Sequence, residues 1–298
     1  MSSWRKSYWR NSGKPLNELT LSNDDVWWTM DIVVSDADSV ALEANTTGQR
    51  SSQQWRDAHT KRISASQVGS ILNRVRAPTN CFVRNLFNSF NDSKISTIPR
   101  SVHHGIENES KALNEYKKAM MSNGYQVELF ASGFVTQPDY FWLGATPDAK
   151  VRCSEGDKIT FGIAEVKCPY SARFLKPSQA VVLKNFFTEN DSGFPKLKKN
   201  HAYFHQVQTQ LFLTQSPWCD FIVFTFKGLS IERIFPCKNW VLKNIPFLKN
   251  FYQNYAIPFF NDVPGDAPVF EQSSSEDEKE NICVDVSFCN EDDDEDFV

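Results

Sequence analysis

From Trp55 onward the chain alternates between stretches of helical and of strand period. Val68, Ile71, Leu72 and Val75 fall at i, i+3, i+4 and i+7, one stripe of an amphipathic helix, and Ser64 or Ser66 supplies an N-cap hydroxyl at its start. Phe82, Leu86, Phe87 and Phe90 mark a second helix. A third covers residues 102–121 with Ile106, Leu113, Tyr116 and Met120 inward and Gly124 at its end. The period then shortens to two. Segments 125–131, 133–136, 141–143, 149–153 and 158–167 are rich in β-formers and separated by Gly, Pro or Asp, as strands joined by tight turns are. Helical spacing returns over 174–187 and 202–213, residues 218–226 and 229–235 read as a hairpin about Gly228, and an aromatic helix over 240–255 closes the pattern. This order predicts an α/β sheet domain over 55–262.

On either side the pattern weakens. Residues 1–54 read as an irregular N-terminal arm, with 36–52 as a linker and the apolar patch 26–34 as a strand that docks on the body. Residues 263–298 read as a disordered acidic tail. Charge sharpens the division: the whole chain carries −4, twelve acids against Lys279 give residues 271–298 a charge of −11, and residues 1–270 are left at +7. A basic body attracts polyanions, of which nucleic acid is the first to consider. No apolar run reaches the ~18 residues of a membrane span, no apolar signal core follows Met1, and seven dispersed cysteines without a CxxC predict free thiols and no structural zinc. The expected setting is intracellular, nuclear or cytoplasmic, with no membrane partner.

The chemistry concentrates in two strands. If Gly156-Asp157 is the two-residue turn of an antiparallel hairpin, reflection about it sets Asp148 opposite Glu165, with Cβ atoms roughly 5 Å apart on one face. Lys167, two residues on, shares that face, and Val166 points to the opposite, buried one. Two close carboxylates repel unless a cation sits between them, and hard oxygen ligands select Mg²⁺ or Mn²⁺ over zinc. The competing reading is an exposed ion-pair ladder worth ~0.5 kcal/mol in total. The apolar flanks Phe141-Trp142-Leu143, Phe161, Ile163 and Val166 favour the metal reading, because charges on an otherwise buried strand are costly unless they have a use. His201 and His205 stand at i, i+4 without a third ligand and read as phosphate or surface contacts; Cys168 reads as core. Lys176, Lys184, Lys196, Lys198 and Lys199 with Arg173 make a basic track for a nucleic-acid backbone.

Five blocks, Arg62-Ile-Ser-Ala-Ser66, Gly105-Ile-Glu-Asn-Glu109-Ser-Lys-Ala112, Gly144-Ala-Thr-Pro-Asp148, Glu165-Val-Lys167-Cys-Pro-Tyr170 and His205-Gln206-Val-Gln208, resemble in order and interval the YqaJ-type viral recombinase family, to which phage lambda exonuclease belongs. The resemblance implies a PD-(D/E)xK nuclease of restriction-endonuclease-like fold, a central mixed sheet flanked by helices, digesting linear duplex DNA 5′→3′ with Mg²⁺ in recombination or repair. Position by position it implies metal ligation by Asp148, Glu165 and the Val166 carbonyl, water activation by Lys167, support of the metal site by Glu109 with Gln206 beside it, a 5′-phosphate pocket at Arg62 and Ser66, and backbone contact by Arg173. It further implies a homo-oligomer, trimeric in relatives, and a single-strand annealing partner. An endonuclease of the same fold and a catalytically silent DNA-binding recombination module stay open as alternatives. Ala149 stands where the family usually has Gly, and His104 where relatives often carry Trp.

Overall fold

The computed structural model describes residues 31–88 and 98–261; the arm up to residue 30, Phe90 and the acidic tail lie outside the described residues. The elements, in chain order, are α1 (Asp36–Asn45), α2 (Gln53–His59), β1 (Ile63–Ser64), α3 (Ala65–Leu72), α4 (Asn80–Asn88), α5 (Arg100–Ser122), β2 (Gln126–Phe130), β3 (Leu143–Gly144), β4 (Ala149–Glu155), β5 (Lys158–Lys167), α6 (Pro177–Ala180), β6 (Thr188–Asp191), β7 (Phe194–Leu197), α7 (Ala202–Thr214), β8 (Cys219–Thr225), β9 (Gly228–Ile234), α8 (Lys238–Phe251) and α9 (Ile257–Asn261). A five-stranded mixed sheet in the order β2-β4-β5-β8-β9 forms the centre. β5 and β8 run parallel, and every other neighbouring pair in this sheet is antiparallel.

Parallel strands need a crossover, and α7 supplies it between β5 and β8. The alternation of β5 then decides what each face meets. Ala164 and Val166 pack with Ala112, Tyr116 and Met120 of α5 on one face, and Ile163 packs with Val207 and Leu211 of α7 on the other. Behind α7 lies a third cluster, built by α3, α4, α8 and the buried segment Tyr140–Leu143. Three layers therefore enclose the sheet, with the odd-numbered residues of β5 turned toward α7. α3 and α7 approach so closely at Gly69 that a Cβ there would lie 2.4 Å from the Ala202 Cβ.

Several expectations need correction. Residues 36–52 are not a linker: α1 occupies most of them, started by a reciprocal cap in which the Asp38 N–H donates to Ser35 Oγ and the Ser35 N–H donates to Asp38 Oδ2. Glu43 of α1 forms an ion pair with Lys150 of β4, and Thr46 Oγ1 accepts the Phe134 N–H at 2.8 Å, so this segment is bound to the body. Residues 174–187 are mostly turns around the short α6, because Lys176-Pro177 restarts the chain there. The hairpin β6–β7 that follows was not anticipated. Ile106 is 47% exposed; the buried stripe of α5 contains Tyr116 and Met120 as expected and continues through Ala112, Asn108 and His104, an i, i+4 series with two polar residues at its N-terminal end. Cys153, Cys168, Cys219 and Cys237 are free thiols, whereas Cys81 is disulfide-bonded, against the expectation of free thiols throughout. No helix among the described residues is long and apolar enough to cross a membrane.

Candidate active site

The hairpin β4–β5 carries the site. Gly156 takes a positive φ of 55° at the turn, a conformation a side chain would disfavour, and pairing runs from Glu155↔Lys158 to Ala149↔Ala164. One step further the same register sets Asp148 against Glu165, and the Asp148 N–H donates to the Ala164 carbonyl at 3.2 Å. Asp148 Oδ2 in turn accepts the Val166 N–H at 2.7 Å, which ties the carboxylate to β5. The turn before Asp148 is held from the α1–α2 region: Trp55 Nε1 donates to Thr146 Oγ1 at 3.0 Å, and Gln49 Nε2 donates to the Pro147 carbonyl at 3.4 Å.

Glu165 is 2% exposed, which rules out an exposed ion-pair ladder. Its two oxygens are met by donors from α7. Gln206 Nε2 donates to Oε1 at 2.6 Å and Gln210 Nε2 donates to Oε2 at 2.7 Å. The two glutamines are i, i+4 on the helix, the spacing that places both over one strand residue. Lys167 Nζ stands 2.8 Å from Glu165 Oε1, donates to Gln206 Oε1 at 3.2 Å, and lies 4.3 Å from the centre of the Tyr203 ring. Gln210 was not anticipated from sequence. Its only signal there is the four-residue step from Gln206, and Gln210 Oε1 is buried without a partner.

The electrostatics follow from crowding three carboxylates into this space. Burial pushes the Asp148 carboxyl well above the usual range, and Glu165 and Glu109 push it further, against Lys167 and the Val166 N–H. Burial likewise raises Glu109, with Glu165 adding to the shift and Lys167 and Arg50 opposing it. Glu109, an exposed helix residue on the plainest reading of the sequence, is thus half-buried against the site. Burial disfavours the Lys167 ammonium, but Glu165, Tyr203 and Asp148 outweigh it and hold its pKa above the usual value. Burial and the neighbouring carboxylates push the Cys168 thiol up to about 12, which removes it as a nucleophile. Three carboxylates face one ammonium, and all the available donors are hard oxygens; both facts suit a divalent hard cation. Among the described residues no three His, Cys, Asp or Glu side chains form a ready-made metal cluster; Glu165 is bonded to Lys167 and both glutamines.

The model of the YqaJ-like viral recombinase domain matches residues 54–217. The chain belongs to this family. The matched segment contains the hairpin, Glu109, Lys167 and both α7 glutamines. Among solved structures the chain resembles LHK-Exo, described as an alkaline exonuclease from Laribacter hongkongensis, in its complex with dAMP: TM-score 0.50, 20% identity, covering 70% of this chain and 95% of the other. A SOX–RNA complex of KSHV gives TM-score 0.48 at 12% identity over 75% of this chain and 74% of that one. The mixed α/β fold with its central five-stranded sheet is therefore the alkaline exonuclease fold. No curated protein sequence matches the chain.

Within this YqaJ domain the residues expected to hold a 5′-phosphate separate. Arg62 is 6% exposed and donates from Nε to the Phe141 carbonyl at 2.8 Å, from Nη1 to Ala58 at 2.9 Å and from Nη2 to Ile32 at 2.7 Å. Through these bonds it joins three chain segments. Ser66 is exposed in the first turn of α3, with its Oγ 2.8 Å from that of Ser64, the N-cap residue. His205 is also structural: Trp240 Nε1 donates to its Nδ1 at 2.8 Å, which leaves Nε2 to donate to Asn73 Oδ1 at 3.1 Å. His201 caps α7, accepting the Tyr203 N–H at 3.1 Å. Of the lysine track, Lys198 Nζ donates to the Phe186 carbonyl at 2.6 Å and Lys196 lies 3.9 Å from Glu232; Lys176, Lys184 and Lys199 are exposed.

Proposed function

We propose that the protein is a Mg²⁺-dependent deoxyribonuclease that hydrolyses phosphodiester bonds of linear duplex DNA, as a 5′→3′ exonuclease in recombination or repair, with Mn²⁺ able to substitute. The observation that carries this reading is the convergence of Asp148, Glu165 and Lys167 at β5, with Glu165 buried and bonded by Gln206 and Gln210 and Asp148 tied to the Val166 N–H. Asp148, Glu165, Glu109 and the Val166 carbonyl are the groups that would hold the ion; a bound divalent cation acidifies a water and offsets charge that grows on a phosphoryl group under attack.

The chain's own residues do the rest. Gln206 and Gln210 fix the Glu165 carboxylate, each through one N–H, so that it is aimed before substrate arrives. Lys167 is held protonated by Glu165. In that state it orients a water or a phosphate oxygen and adds positive charge beside the reacting group. Asp148 is kept in register by the Val166 N–H. Ser66, in the first turn of α3, offers a hydroxyl at the N-terminal end of that helix for the 5′-phosphate. Arg173 contacts the DNA backbone.

The test compares linear, nicked and covalently closed duplexes with Mg²⁺. The linear form is expected to shorten from its 5′ ends while the closed circle survives. Equal loss of both identifies an endonuclease of the same fold. If wild type and Lys167→Ala bind DNA alike and neither digests it, the protein is a silent binding module.

A further inference from the structure

Immediately beyond Lys167 the chain leaves β5 and builds an aromatic surface that the hydrolytic site does not use. Phe174 is 62% exposed and Phe226 49% exposed, with ring centres 5.8 Å apart. The Arg173 guanidinium lies 3.7 Å from the Tyr170 ring centre and 4.9 Å from that of Phe174. His104 closes the group from α5, 5.5 Å from Tyr170 and 5.3 Å from Phe226. The Phe226 N–H donates to the Arg173 carbonyl at 2.9 Å, so the two segments carrying the rings are joined through main chain.

The placement of Phe226 is unusual chemistry for its position. Thr225 pairs with Gly228, so Phe226 and Lys227 are the two residues at the tip of the β8–β9 hairpin. Such turns favour Gly, Asn and Asp, and an exposed phenyl ring there adds nothing to the turn. Cations accompany the rings: the Arg173 guanidinium lies over Tyr170 and Phe174 and is anchored by donating Nη1 to the Tyr170 carbonyl at 2.6 Å, and Lys176 and Lys227, two positions and one position along the chain from Phe174 and Phe226, are exposed. Exposed aromatic faces interleaved with Arg and Lys match one ligand class, an unpaired nucleotide, whose base stacks while its phosphate meets the cations. A base paired inside the duplex has both faces covered and cannot use such a surface.

We infer that Phe174 and Phe226, with Arg173 between the segments, form a stacking platform for an unpaired nucleobase of the nucleic-acid strand next to the hydrolytic site. This rests on the nuclease reading for its substrate class and goes beyond it by naming where a single-stranded end is held.

The test uses the full chain in EDTA, which separates binding from cleavage. The probes are duplexes with a three-nucleotide overhang carrying 5-iodouracil, either in the overhang or in the paired region. Long-wavelength irradiation is expected to crosslink the overhang probe to the peptides holding Phe174 or Phe226, and the paired probe to neither. Phe174→Ala with Phe226→Ala should weaken binding of the overhang duplex at least tenfold while leaving a blunt duplex within about twofold; Phe174→Trp with Phe226→Trp should restore it. Thermal melting of each variant confirms that it folds. The platform is refuted by crosslinking elsewhere, by equal losses on overhang and blunt duplexes, or by a change in oligomeric mass without loss of overhang preference, which would make the patch a contact between copies. Digestion of linear duplex with Mg²⁺ is scored separately, so that a failed platform with intact digestion, and the reverse, are distinct results.

Discussion

Glu165 shows how a single buried carboxylate governs its neighbours. It holds Lys167 charged, raises Asp148 and Glu109, and takes two amide donors from α7. Replacing Asp148 with Asn removes one charge from this group while an amide oxygen can still accept the Val166 N–H. The expected outcome is a loss of turnover of at least about a hundredfold, since even indirect partners of a metal site are worth 10–100-fold, together with metal-free melting at or above wild type because repulsion is relieved. A variant melting well below wild type in EDTA would contradict this. Gln210→Leu tests the other side of the carboxylate: it leaves Glu165 Oε2 buried without its α7 donor, at a cost of about 1–3 kcal/mol in urea denaturation. Asp148, Glu165 and Lys167 could be read from sequence because strand alternation and one turn fix their face. Gln210 could not, since its partner lies 45 positions away across a helix–strand contact. The surroundings of Arg62 were illegible for a related reason: nothing in the sequence says that its guanidinium donates to three backbone carbonyls from distant segments.

At the scale of elements, the hairpin β4–β5 was readable because a two-residue turn at Gly156 determines register for the whole pair. The segment 174–187 was not, because its apolar spacing resembles a helix while Pro177 and the docking of α6 on the sheet side break it into turns. α1 was overlooked for its polar composition; its evidence is the Ser35–Asp38 cap and not a hydrophobic stripe. Missing α1 also hid Arg50, whose charge reaches Glu109. The α3–α7 crossing gives a prediction at this scale. Gly69 admits the Ala202 backbone and methyl where any Cβ would overlap them, and α7 carries both glutamines of the site. Gly69→Val should destabilise the protein by about 1–3 kcal/mol and, by shifting α7, reduce turnover more than Gly69→Ala does. Equal stability of Gly69→Val and wild type would show that the helices part without cost.

The whole molecule couples this core to pH through a histidine that the chemistry does not employ. His59 is 4% exposed, with its ring nitrogen 2.8 Å from the Trp55 carbonyl and its ring 3.9 Å from that of Trp55. Burial lowers its pKa to about 4, with Arg62 and Arg50 also opposing a second charge there. The unfolded chain binds the proton near 6.5, so between about pH 6.5 and 4 the unfolded state holds more protons than the native one, and stability falls as pH drops through that interval. The full shift corresponds to roughly 3 kcal/mol. Asp148 acts with the opposite sign, because its raised native pKa makes the folded state the first to take up a proton; measuring in the Asp148→Asn background removes that contribution. In that background, urea midpoints should decline from pH 7 to pH 4.5, and His59→Gln should make the decline shallower because an amide has no proton to gain, while His201, whose pKa burial also lowers to about 4, keeps its own share. Since His59 lies between Trp55, Phe134 and the Arg62 that joins three segments, its protonation should loosen the α2 region and with it the Trp55–Thr146 bond behind Asp148. Acid loss of amide-exchange protection beginning in α2, before β4 and β5, is the expected signature, and simultaneous loss in all three would place the sensitivity elsewhere.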